Sequence, residues 1–535
     1  MAGPAFQLEG IMETKRRIAS LSASVTAVSI ALLAILSIPG IAAAQEHAAH
    51  YHRYKFIDLG TLGGPHSYGS PNGSGSRLLN NAGVVALSAD TTAQDPLAAI
   101  FCYVPDCLVA HASRWSHGVM TDLGAVDDRY SSAAVSINDR GWSIGQSETG
   151  DIDPAFNFPL FHTVLWKGTR MVDIGTLPGG NTSIPFSINN AGEVVAFGNN
   201  DIPDPFALFP SATQMRTFVW QNGQVQDIGT LGGPDAVPGP GCDNQRPGVI
   251  VGQSYVGFTP NPASGIPTLE PFLWDNGMMT DLGTLGGVFG FAQCANNRRQ
   301  VIGLSSLAES PIACTDGRLT GCHAFLWTDG RMQDLGTLGG PNSEAQWIND
   351  SGLIAGSADF PRPSPELNTH DAVMWKNGKI KDLGTVDGDP CSRAYGINSR
   401  GQVVGTSGDC HNALHAFVWE EGAPILDLNA LIQPGTGYQL TNAIEINDGG
   451  EIIAKAAPLG FTPDDDADLG HLVLLIPCDD DHAGIDGCDY SAVDPATVGA
   501  STNAVPPPHA MRNAGDEDRP ASDNITRFRT KRWAH

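Results

Sequence analysis

Basic residues are scarce in this chain: 30 Lys and Arg stand against 57 Asp and Glu in 535 residues, a formal net charge of −27. Such a polyanion is repelled by nucleic acid and by anionic membrane surfaces, which leaves cations, proteins or glycans as partners. The sequence has no HExxH, no phosphate-cradling Gly-Lys-Ser/Thr loop and no dinucleotide fingerprint after a β-strand. Motif evidence for an enzyme is therefore absent, and no catalytic, metal-binding or cofactor-binding residue is assigned. None of the ten cysteines forms a CxxC, which argues against zinc ribbons and thioredoxin-like chemistry.

Long apolar runs are also missing, with one exception near the start. The stretch from Ile18 to Ile38 follows Lys15, Arg16 and Arg17 and precedes Pro39-Gly40 and Ala42-Ala43-Ala44. Basic, apolar and small residues in that order read as a secretory signal peptide over 1–44, with an uncleaved anchor as the rival. Its removal leaves a net charge of −28 and no transmembrane span in the mature chain. The expected location is secreted, periplasmic or cell surface. An even number of cysteines in an exported chain predicts disulfides, and Cys102/Cys107, Cys314/Cys322, Cys391/Cys410 and Cys478/Cys488 are close enough to pair locally.

What is abundant is glycine and proline, 63 and 37 residues, which predicts many short elements separated by turns. One phrase, Asp-Leu-Gly-Thr-Leu-Gly-Gly, stands intact at Asp58, Asp281 and Asp334, with Ile in second place at Asp227. Looser copies begin at Asp122, Asp173, Asp382 and Asp427, which makes eight, spaced 45 to 64 residues apart. A second phrase, Ile-Asn-x-x-Gly, is clear at Asn138, Asn189, Asn349 and Asn398 and degraded at Asn80, Asn244, Asn296 and Asn447. A third is an apolar strand ending in Trp at 115, 166, 220, 274, 327, 375 and 419, with Leu472 to Ile476 standing in for it in the last unit.

This period fits a blade of four short strands: A before the Asn, B after the Gly, C ending at Trp and D ending at Asp-Leu-Gly. Asn-Gly and Asp-Gly turns such as Asn222-Gly223 and Asp329-Gly330 join C to D. The expected fold is all-β, a single β-propeller over 51–477. Eight four-stranded blades are preferred to seven or to two smaller propellers, with the N-terminal strand around Phe56 to Gly60 completing the last blade. An acidic Cys-bounded loop follows at 478–490, then a Ser-, Ala- and Pro-rich tail at 491–535 that reads as disordered.

The three phrases, together with His-Ala-Phe at His323 and His415, resemble the probable extracellular repeat proteins of the HAF family over about residues 55–476. The resemblance implies an exported bacterial repeat protein and names no activity. Long, irregular B-to-C links, including Thr91–Ala110, Thr149–Phe161 and Asn199–Met215, fall on one face with the Gly-Gly links, and loops on a rigid scaffold carry binding sites. That face is expected to bind a protein or glycan; the alternatives are a lyase or glycoside-acting enzyme with a site at the channel, or a structural adhesion component.

Repeated residues are assigned to architecture. The slot four before Trp, which includes His111, His162, His323, His415 and His471, supplies one residue per unit and spreads them around a ring, where a metal needs ligands at one point. Gly-x-Ser at Gly145 and Gly252 recurs and lacks the second Gly of a nucleophile elbow. A calcium site is a minor possibility at Asp479 to Asp489, where Gly484 stands at the turn position and Ala483 and Tyr490 occupy ligand positions.

Overall fold

The computed structural model describes residues 51–493, apart from 71–75, 154–155, 209–211, 243–244, 311–313, 315–320, 362–368 and 461–469. Residues 1–50, with the expected signal peptide, and most of the tail lie outside the described residues, and of the tail's start Val493 forms a bridge to Tyr51. The described chain holds 32 β-strands and two single-turn 3-10 helices, Leu428–Ala430 and Asp480–His482.

The strands form antiparallel four-stranded meanders in chain order, as Ser132–Ile137, Trp142–Asp153, Phe158–Lys167 and Arg170–Gly175 do in the second unit. Six sheets have four strands and one has eight. The large sheet contains the meanders beginning at Ala236 and Gly286, joined through a single parallel pair, Leu269 with Phe289. The chain is a β-propeller of such sheets. Its last sheet is closed by the N-terminal strand Tyr54–Asp58, which pairs antiparallel with His471–Pro477, from Tyr54 opposite Pro477 to Asp58 opposite Val473. First and last parts of the propeller therefore share one ladder, in which the N-terminal strand covers the outer side of His471–Pro477 and becomes the outer strand of that sheet.

The Asn-x-x-Gly turns hold neighbouring units together. In each, the Asn Oδ1 accepts backbone N–H bonds from its own turn, as Asn398 does from Arg400 at 3.1 Å and Gln402 at 3.0 Å. Its Nδ2 donates to the carbonyl of the Asn in the next unit: Asn80 to Asn138 at 3.1 Å, Asn138 to Asn189 at 3.0 Å, Asn296 to Asn349 at 3.0 Å, Asn349 to Asn398 at 2.8 Å and Asn398 to Asn447 at 3.1 Å. Asn447 then donates to Asn80 at 3.1 Å, joining the last turn to the first. Position 244 lies outside the described residues; beside it, Glu193 accepts from Gly248 N.

The donor in this chain has no substitute. Asn398→Asp keeps Oδ1 but sets a carboxylate oxygen against the Asn447 carbonyl, so it is expected to destabilise the protein by about 2 kcal/mol, as much as Asn398→Ala. Urea unfolding of both variants checks this; an Asp variant as stable as the parent would show that only the turn-capping oxygen matters.

The Gly-x-Ser copies also become explicable. A Cβ on Gly145 would run into the Ala133 carbonyl and the Trp166 ring, and one on Gly356 into the Glu344 carbonyl and Trp375. Ser147 Oγ accepts from Val126 N at 2.9 Å, Ser254 Oγ from Leu231 N at 3.0 Å and Ser305 Oγ from Leu285 N at 2.9 Å. Glycine lets strands A and C close over strand B, and serine anchors the link from D to the next A. The C-strand Trp residues are buried between units; Trp375 Nε1 donates to Leu335 O of the preceding Asp-Leu-Gly at 2.9 Å.

Candidate functional site on the loop-bearing face

The D-to-A links and the B-to-C connections emerge on the same face because each link lies on the end of its own strand B. In the first unit Leu62 N and Gly64 N both donate to Asp90 O, at 3.0 and 3.1 Å. The Gly-Gly pair is what permits this. Gly63 has φ +103, in the left-handed region, and a Cβ on Gly64 would run into Thr91 O and Asp90. Gly232-Gly233, Gly286-Gly287 and Gly339-Gly340 repeat the arrangement.

The B-to-C connections differ from expectation in one respect. Several are extended arms of strands B and C with a bulge at the base: strand B of the second unit runs to Asp153, strand C starts at Phe158, and the register shifts between Glu148 and Ile152. The first and third units shift between Asp90 and Gln94 and between Asn199 and Pro203. Polar and β-branched residues in these arms hide strand pairing that only the tertiary setting reveals.

Each arm leans on the next unit. Phe101 stacks edge-on against Phe158 with ring centroids 5.0 Å apart, and Gln146 Nε2 donates to Tyr103 Oη at 2.8 Å. Leu208 N donates to Asp235 Oδ2 at 2.7 Å and Tyr255 Oη to Phe206 O at 3.0 Å. Disulfides Cys102–Cys107, Cys314–Cys322 and Cys391–Cys410 tie this face, and Cys478–Cys488 closes the acidic loop after the last strand. A fifth, Cys242–Cys294, spans 52 residues and joins the fourth and fifth units, a pairing that proximity in sequence does not suggest.

The slot before Trp faces the Asp of its own Asp-Leu-Gly across the C–D hairpin. His111 Nδ1 lies 3.1 Å from Asp122, His162 Nδ1 3.0 Å from Asp173, His323 Nδ1 2.9 Å from Asp334 and His471 Nδ1 2.8 Å from Asp58. The same Asp accepts the N–H of its Gly, as Asp334 does from Gly336 at 2.7 Å. His415 turns instead to Asp389, 2.8 Å away. Burial works against the charge on His111, yet the Asp122 carboxylate prevails and raises its pKa. Where the slot holds Glu270 or Asp371 the pair is carboxyl against carboxyl, and burial together with Asp281 or Asp382 raises the pKa of each.

One cluster on this face joins residues far apart in sequence, at the seam between the last and first units. Asp90 Oδ2 accepts from His66 N at 3.0 Å and Tyr68 Oη at 3.1 Å. Burial, reinforced by Asp106, pushes Asp90 up to about 7. His66 Nδ1 accepts from Gly470 N at 3.0 Å, which fixes the Nε2–H tautomer, and burial lowers its pKa. Lys455, 8% exposed, donates to Ser67 O at 3.3 Å and lies 5.2 Å from the centroid of the Tyr68 ring. His471 completes the seam with Nε2 3.1 Å from Pro65 O. Asp90 thus meets His66 through its main chain, while the imidazole is turned to Gly470.

Two cavities among the described residues, of about 20 and 60 Å³, lie between the third and fourth units and inside the Asn turns. Both are far below the several hundred Å³ typical of small-molecule sites. Among the described residues no group of three His, Cys, Asp or Glu is arranged to hold a metal. In the acidic loop Asp479 caps the last 3-10 turn, accepting from His482 N at 3.0 Å, and Tyr490 Oη donates to His482 O at 3.0 Å.

No protein-family model matches the chain, and no curated protein matches it. Among solved structures, the β-propeller domain of the Trilobed protease from Pyrococcus furiosus is similar at 8% identity and TM-score 0.36, covering 70% of this chain and 98% of that one. An ulvan lyase, described as a new polysaccharide lyase family, gives 10% and 0.34 over 70% and 94%, and Trypanosoma rangeli sialidase 8% and 0.28 over 79% and 93%. These likenesses are too distant to carry an argument, so the propeller assignment stands on the sheet order of the chain itself.

Proposed function

We propose that this chain is an exported, eight-bladed propeller of the HAF-repeat type whose loop-bearing face binds a protein or glycan over a broad surface. The observation that supports the reading is where apolar side chains meet solvent. Ile100, Val126, Ile202, Val256 and Phe258, from 36% to 61% exposed, sit on that face from the first unit to the fourth, while Val119, Val225 and Met278 are exposed singly on the C–D hairpins of the other. Their arms rest on one another, so the surface is preorganised, and ordering costs on binding are small. Exposed apolar residues gathered on one face mark an interaction surface, whereas scattered ones do not. Five disulfides agree with an oxidising compartment.

Binding of the labelled full chain to an array of neutral and acidic oligosaccharides and to bacterial surface-protein fractions tests the reading. Ile202→Ser with Phe258→Ser is expected to weaken retention at least tenfold, while Val119→Ser with Met278→Ser, on the C–D hairpins, leaves it unchanged. The opposite pattern would place the interaction on the other face. A second reading, acid–base chemistry on a glycan, is supported by the seam cluster of His66, Tyr68, Asp90 and Lys455. It requires turnover of an oligosaccharide that His66→Ala abolishes without loss of binding.

A further inference from the structure

At the seam between the first and second units, beneath the arm that carries Ile100 and Tyr103, two buried carboxylates meet at Ser131. Asp95, 4% exposed, comes from the first B-to-C arm, and Glu148, fully buried, from strand B of the second unit. Ser131 N donates to Glu148 Oε2 at 2.9 Å, and the Ser131 side chain lies close to Asp95. Asp95 Oδ1 is occupied by Leu97 N at 2.8 Å.

Each carboxylate has a second oxygen, and neither Asp95 Oδ2 nor Glu148 Oε1 has a hydrogen-bond partner, though both are buried. Gln146, 7% exposed, stands two residues before Glu148 and so on the same side of the strand. Its amide nitrogen is committed to Tyr103 Oη, and its oxygen, Oε1, is likewise buried without a partner. Three acceptor oxygens, two of them carboxylate, thus lie along one seam and accept no hydrogen bond. Native interiors rarely leave one such atom unpaired, and two like charges raise the penalty further.

We propose that this seam binds a divalent cation of the calcium type, held by Asp95 Oδ2, Glu148 Oε1 and Gln146 Oε1. Hard oxygen donors, mixed carboxylate and amide, suit Ca²⁺, which accepts irregular geometry and completes its shell with water. The ion joins the first arm to the second unit at the root of the exposed surface. Its presence does not depend on what that surface binds. The site is distinct from the acidic loop at 478–490, where Asp479 is occupied as a helix cap.

The test uses the full chain, stripped with chelator and titrated with Ca²⁺ by calorimetry and with Tb³⁺ by sensitised luminescence, for which Tyr103 is a nearby donor. One Ca²⁺ per chain is expected, with Glu148→Gln and Asp95→Asn each weakening it at least tenfold. Asp479→Asn is expected to leave it unchanged. Thermal melts provide the second readout: calcium raises the Tm of the parent and not that of Glu148→Gln. No binding up to 10 mM Ca²⁺, or binding indifferent to Glu148→Gln, overturns the proposal. So does a Glu148→Gln variant that binds as the parent does but melts higher with or without calcium, the behaviour of a carboxyl pair that merely shares a proton.

Discussion

Replacing Cys242 and Cys294 together by alanine is expected to lower the stability of the protein by about 4 kcal/mol, the largest loss from removing any one disulfide. The bond closes a 52-residue loop and so removes more freedom from the unfolded chain than Cys102–Cys107, which closes five and is worth about 2 kcal/mol on the same grounds. Its position adds to the effect. Both cysteines are buried, at 5% and 0% exposure, and they tie the fourth unit to the fifth. There the backbone adds two cross-unit bonds, Gly241 N to Gln293 O at 3.3 Å and Gln245 N to Asn297 Oδ1 at 3.1 Å. Denaturant unfolding of the Cys242→Ala/Cys294→Ala and Cys102→Ala/Cys107→Ala pairs, read by midpoint and slope, decides the matter. Equal midpoints would mean that backbone pairing and packing secure this seam without the bond.

The contrast between those two bonds shows what was legible beforehand. Cys102–Cys107 follows from spacing, since residues so near in the chain have few other partners; Cys242–Cys294 becomes visible only once two units lie side by side. The same division runs through the molecule. Asp334, Asn398 and Trp375 were readable because each recurs at a set place in its phrase, so repetition alone marks them as architectural. That the Asn amide also reaches into the next unit was not readable, because the partner is a backbone carbonyl that any residue would supply. The seam cluster is harder still: His66, Asp90 and Lys455 belong to no phrase and meet only because the N-terminal strand closes the last sheet. Asp95, Gln146 and Glu148 carry no motif spacing, and their signature is a missing donor, which only coordinates display. In the loop at 478–490 the run of aspartates was legible, but that Asp479 accepts from the His482 N–H of its own turn was not.

Raising the pH from 5.5 to 8.5 is expected to lower the Tm by at least about 5 °C at low calcium, because folding here takes up protons. Burial pushes Glu148 up to about 8 and, with help from Asp106, Asp90 up to about 7. Burial also raises Asp235, Glu270 and Asp371. In the unfolded chain these carboxyls ionise near pH 4; in the folded protein ionisation is deferred toward neutrality, so the native state loses ground as pH climbs through that interval. The histidines act in the same direction. Carboxylate partners raise His415 and His471, and Asp122 raises His111 against the effect of burial, so the stability these pairs give is complete below about pH 6 and is lost as pH rises through their folded values. The opposing groups, Asp58, Asp122, Asp173 and Asp334, have lowered values because their His partners and turn N–H groups outweigh burial; what they contribute is lost only as pH falls below about 4. The optimum therefore lies in mild acid rather than at neutrality. Differential scanning calorimetry across the range reads it directly, and a flat or rising profile between pH 5.5 and 8.5 would show that these buried carboxyls are neutralised by something other than protons. Calcium separates the two causes at one seam: if Asp95 and Glu148 hold the ion, saturating Ca²⁺ flattens part of the decline in the parent, and Glu148→Gln removes both that part of the decline and its response to calcium.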